Sequence, residues 1–123
     1  MGMYTEIYVN VDLKEDTPHK VLDVLAAMCR GDEEGVLKDH PRRWASLFRD
    51  GSYYTPRTSC AKLSYDNIKQ AYSLLGKGDI KNYDNEIEKF FEYIMPYVDA
   101  SKGEFIGYKR YEEELVPTLI FKE

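Results

Sequence analysis

The stretch TEIYVNVDL, residues 5–13, alternates strictly between apolar or small residues and polar ones. Thr5, Ile7, Val9, Val11 and Leu13 fall on one side, and Tyr4, Glu6, Tyr8, Asn10 and Asp12 on the other. Successive side chains of an extended strand point to opposite faces, so the pattern predicts a half-buried strand with one side in a core. Everything downstream must supply neighbours for that strand and a cover for its apolar face.

KEDTPHKVLDVLAAMCRG supplies the first cover. Asp16 or Thr17 can cap a helix start, Pro18 suits its first turn, and Arg30-Gly31 ends it. Val21, Leu22, Leu25, Met28 and Cys29 form its apolar stripe. GDEEGVLKD reads as a polar connector without a period, and Pro41 opens a short helix with Trp44, Leu47 and Phe48 at i, i+3, i+4. Residues 52–81 turn to strand patterns, SYYT, TSCAKLSY and QAYSLL, with GKGD at 76–79 as the turn that follows. Asn82 then caps a second long helix, in which Ile87, Phe90, Phe91, Ile94 and Val98 keep the helical period until Pro96 opposes its continuation. GEFIGYKRYEEELVPTLIFKE reads as two strands joined by a charged loop. Adjacent strand runs argue for an α+β fold in one domain, residues 1–123. Its mostly antiparallel sheet has five or six strands, with two main helices on one face and a short third helix.

A net charge of −5 disfavours non-specific binding of nucleic acid. No apolar run approaches the ~20 residues of a membrane helix, and no signal-peptide core opens the chain, so membrane partners are not expected and the location reads as cytoplasmic. Cys29 and Cys60 have no metal-like spacing and read as buried free thiols of a reducing compartment.

GDIKNYDNEIEKFFEYIMPYV followed by GEFIGYKRYEEELVPTLIF, with RWASLFRDGSYY upstream, resembles small uncharacterised proteins of bacteria and their prophages over about two thirds of the chain. That resemblance implies an α+β fold and a bacterial or prophage setting, and it carries no catalytic motif.

Signs of chemistry are sparse. His19 sits in a helix first turn and His40 precedes a proline, so both read as exposed, and no nucleophile–histidine signature accompanies them. Glu88 and Glu92 share a helix face but lack the histidine partners of a di-metal site. GKGD lacks the spacing of a phosphate loop. No catalytic residue, metal ligand or cofactor is assigned, and the open question of an enzyme leans to no. Tyr4 and Tyr8 on one strand, and Tyr108 with Arg110 on another, place aromatics on a sheet face. Glu6 and Asp12 beside them oppose a nucleic-acid phosphate.

One anomaly remains, in HPRRWASLFRDGSYYTPR. Residues 40–62 hold five basic side chains (Arg42, Arg43, Arg49, Arg57, Lys62) against Asp50, a local balance of +4 that leaves −9 for the rest. Arginine and aromatic residues are enriched at protein–protein hot spots. Arg42, Arg43, Arg49, Arg57, Tyr53 and Tyr54 are therefore the candidate surface for a protein partner or for self-association. The alternative is an enzyme or binder for a small anionic ligand such as a nucleotide or phosphorylated metabolite, since guanidinium forks suit such groups.

Overall fold

The computed structural model describes residues 4–32, 34–48 and 61–123. Its sheet has five strands, all paired antiparallel, in the order β2-β3-β1-β4-β5. These are β1 (Thr5–Asp12), β2 (Lys62–Asp66), β3 (Ala71–Ile80), β4 (Phe105–Tyr111) and β5 (Thr118–Phe121). The helices are α1 (His19–Arg30) and α2 (Glu86–Ile94). This is the α+β layer that the alternation and the helical periods predict.

β1 lies at the centre, and the alternation read from its sequence is the alternation of its burial. Thr5, Ile7, Val9, Val11 and Leu13 are all buried. Leu74 and Ile80 of β3 and Ile106 of β4 are buried with them, as are Val21, Leu25 and Met28 of α1 and Ile87, Phe90, Phe91 and Ile94 of α2. Each large side chain taken from water contributes ~1.5–3 kcal/mol before chain entropy is charged against it. α1 ends at Gly31, whose φ of 71° provides the left-handed cap that returns backbone bonds to Ala27 and Met28. α2 ends before Pro96, and the chain tightens into a 3-10 turn at Met95–Tyr97.

Four details differ from the sequence reading. GKGD is no turn: Gly76, Lys77, Gly78 and Asp79 lie inside β3, paired with Val9, Tyr8, Ile7 and Glu6. The connector after α1 forms a 3-10 turn at Gly35–Asp39, and the short helix after Pro41 is a 3-10 turn at Arg42–Ser46. The expected strand SYYT and the start of TSCAKLSY lie outside the described residues. His40 is half-buried rather than exposed, its ring stacked on Trp44 at 5.1 Å and edge-on to Tyr93 at 5.3 Å.

The glycines of β3 explain why a turn-like motif is a strand. A Cβ at Gly76 would stand 2.6 Å from the Phe48 ring, and one at Gly78 would meet the Leu47 carbonyl. Their missing side chains let the 3-10 segment press directly onto the sheet, where Trp44, Leu47 and Phe48 are buried.

Candidate functional site

Trp44 fixes the local geometry around the two described arginines of the flagged segment. Its indole N–H donates to the Glu86 carbonyl at 3.0 Å, and its ring meets Phe90 edge-on. This ties the 3-10 turn to the start of α2. Arg43, the preceding residue, donates to the Glu86 carboxylate at 2.7 Å, lies 3.6 Å from Asp84, and stands over the Tyr83 ring. The Glu86 carboxylate beside it raises the Arg43 pKa further above its ordinary value. The Glu86 side chain is 2% exposed, so Arg43 compensates a buried charge and is largely committed to the fold.

Arg42 has a different setting. It is exposed, and of the four described arginines it alone has no carboxylate within ion-pair distance. Arg42 and Arg43 share a cleft of about 620 Å³ with Lys38 and His40 on one side and Tyr4, Asp79, Ile80 and Lys81 on the other. Four cationic side chains and one carboxylate line it, in a chain of net charge −5. Lys81 stands 5.9 Å from the centre of the Tyr4 ring, which holds its ammonium at the wall. Arg49, Arg57, Tyr53 and Tyr54 lie outside the described residues. Lys81 and Tyr4 were missed in the sequence because the β1–β3 pairing, not chain proximity, brings them to the arginines, and Lys38 was missed because its segment read as a polar connector.

A second surface lies at the opposite end of the sheet order. Tyr8 stacks on Tyr108 at 5.5 Å and on Phe105 at 6.5 Å, and Phe105 meets Phe121 edge-on. With Leu119 these rings occupy the sheet face away from the helices. Burial raises the Tyr108 pKa, and Glu6 nearby adds to the shift. On the helix side of β5 a groove of about 570 Å³ has Phe91, Met95, Pro96 and Ile120 as its apolar lining. Lys109 at its rim is paired with Glu88. Burial pushes the Glu88 pKa up, but bonds from Lys109 and Asn82 outweigh it and hold the carboxyl below its usual value. In the β4–β5 loop, Leu115 and Val116 are 97% and 73% exposed.

Neither surface offers an activated nucleophile. The half-buried Cys29 thiol is pushed up to about 11 by burial, only partly opposed by Arg30, so almost no thiolate exists at neutral pH. His40 is held by aromatic rings, with no carboxylate orienting it. Among the described residues, no three His, Cys, Asp or Glu side chains gather as a metal site would require, and no helix is long and apolar enough to cross a membrane. No family model, curated protein or solved structure matches the chain.

Proposed function

We propose that the chain is a non-catalytic protein–protein interaction module and that it works by pairing with a second copy of itself along β5. The observation that carries this reading is an apolar projection, Leu115 and Val116, at one end of an open edge, and a groove at the other end in which Phe91, Met95, Pro96 and Ile120 lie among charged side chains. An edge strand leaves half of its N–H and C=O groups without a neighbour, and such strands are usually guarded by charge. β2 begins with Lys62 and ends with Asp66, whereas β5, TLIF, carries no charge.

Two β5 strands paired antiparallel about Leu119 would set Val116 of one copy beside Lys122 of the other. That position overlooks the groove of Phe91, Met95, Pro96 and Ile120. The same two-fold repeats the contact in the reverse direction, as an isologous interface requires. It also brings the two Leu119 side chains together and shields the adjoining aromatic strip. Trp44, Leu47 and Phe48 belong to the core, which leaves the sheet edge as the better docking surface than the arginine segment.

Light scattering tests the reading directly. The expected mass is about twice 14.4 kDa, and Leu119→Lys, which would set two ammonium groups opposite each other at the two-fold, should return it to the monomer. Leu115→Asp should weaken the dimer with the melting temperature of the monomer unchanged. A strict monomer at high micromolar concentration, or a dimer indifferent to both substitutions, refutes the proposal.

A further inference from the structure

The cleft around Arg42 is independent of the β5 edge and requires its own account. Concentrating four cations around one concave surface is unfavourable when each must be kept apart from the others in water. Arg43 is accounted for by Glu86 and Asp84. Among the described residues, Arg42 and Lys38 have no ion pair, and Lys81 has only the Tyr4 ring. In contrast, Arg30, Arg110 and Lys69 each sit beside a carboxylate.

The three cations without carboxylates approach the cleft from separate elements. Lys38 comes from the 3-10 turn Gly35–Asp39, Arg42 from the next turn, and Lys81 from the position just after β3. The buried Trp44, with its bond to Glu86, holds the second of these turns in place. The half-buried His40 ring and the Ser46 hydroxyl complete the polar wall. The space of about 620 Å³ falls within the ~300–1,000 Å³ typical of small-molecule sites.

We infer that this cleft binds a small phosphorylated ligand carrying at least two negative charges, with Arg42 as the principal donor and Lys38 and Lys81 flanking it. The charge count decides the ligand class. A single carboxylate would be satisfied by one cation and would bind weakly in a cleft this open to water. Several phosphate oxygens use the guanidinium fork and both ammonium groups together. Asp79, the one carboxylate of the wall, is 8% exposed, so the surface that a ligand meets is dominated by the cations. The Tyr4 ring adds a flat apolar wall, which would favour a nucleotide over a bare phosphate chain.

The chain has a single tryptophan, Trp44, and it stacks on His40 at the cleft wall, so its fluorescence reports occupancy without a label. Titration at low salt would use tripolyphosphate, ATP and adenosine, with calorimetry alongside. Tripolyphosphate and ATP should bind, and adenosine should not. Tighter binding of ATP than of tripolyphosphate would place the base on Tyr4, and equal binding would confine recognition to the phosphate chain. Arg42→Glu and Lys81→Glu should each weaken binding by more than tenfold, while Lys20→Glu, an equal change of charge on α1, should alter it less than twofold. Because Arg42 is exposed, its substitution leaves the fold intact, which an unchanged melting temperature verifies. Absence of binding at low salt refutes the inference, and so does equal weakening by Lys20→Glu, since net charge alone would then be responsible. Both outcomes are independent of whether the chain dimerises.

Discussion

Replacing Arg43 with alanine is the sharpest test of how the flagged segment is held. In the intact protein the guanidinium donates to a Glu86 side chain that is 2% exposed, while Arg43 itself is 23% exposed. A hydrogen bond to a charged group contributes ~1.5–3 kcal/mol, and the stack on Tyr83 adds ~0.5–1 kcal/mol at a water-accessible site. Breaking a fully buried pair costs ~3–5 kcal/mol because it strands a charge. Water reaches Arg43 and would enter the gap, so the expected loss is ~2–4 kcal/mol. Urea denaturation at pH 7, followed through Trp44, measures it. One signature separates stranded charge from lost packing. Adding Glu86→Gln to the Arg43→Ala chain should recover at least ~1 kcal/mol, since an amide strands no charge. A loss under ~1 kcal/mol, or a double variant no more stable than the single, would refute the reasoning.

Acid should expose a second pair. The bond from Ser73, then that from Lys69, holds the Asp12 pKa below its ordinary value, so its contribution is present above the usual carboxylate range and is lost as pH falls through the depressed pKa. Ser73→Ala should therefore destabilise by ~0.5–1 kcal/mol at pH 7 and by less as the pH falls through the depressed pKa. An equal effect across that range would attribute the loss to packing alone. Cys29 is pushed up to about 11. In a Cys60→Ser background its alkylation by iodoacetamide at pH 8 should run about a hundredfold slower than that of a free thiol of pKa near 9. Half-maximal reactivity below pH 9 would contradict the burial that raises it.

The sequence made the long elements legible and the short contacts opaque. In β1 the period of two is repeated four times, and in α2 four apolar residues keep the helical spacing, so each pattern survives a single misplaced residue. The turn Arg42–Ser46 offers only one apolar repeat, Trp44 with Leu47 and Phe48, which a 3-10 turn and an α-helix share. Gly76 and Gly78 misled for a different reason. A glycine signals either backbone freedom or close approach by something else, and the approaching Leu47 and Phe48 are about thirty residues earlier in the chain. The cleft shows the same division. Arg42 and Arg43 stood out because they are consecutive, whereas Lys81 and Tyr4 join them through strand pairing that no local pattern announces. His40 looked exposed because it precedes a proline, but Trp44 four residues later gives its ring a surface to stack on.

The central position of β1 has a consequence for how the chain comes to be folded. Thr5 pairs with Ile80 on one side and with Tyr111 on the other, so the strand made first waits longest for both neighbours. During synthesis α1 can cover its apolar side early, but both of its edges are bare until residues 71–80 have emerged, and β4 arrives about twenty-five residues later still. Early hairpins cannot shelter it, because β2 pairs with β3 and β4 with β5. The late hairpins must therefore close around an early strand. High sequence separation slows that step, and a nascent chain with an exposed TEIYVNVDL is at its most aggregation-prone just before it. Slowing elongation between residues 70 and 111 should thus lower the soluble yield more than slowing it anywhere after residue 111.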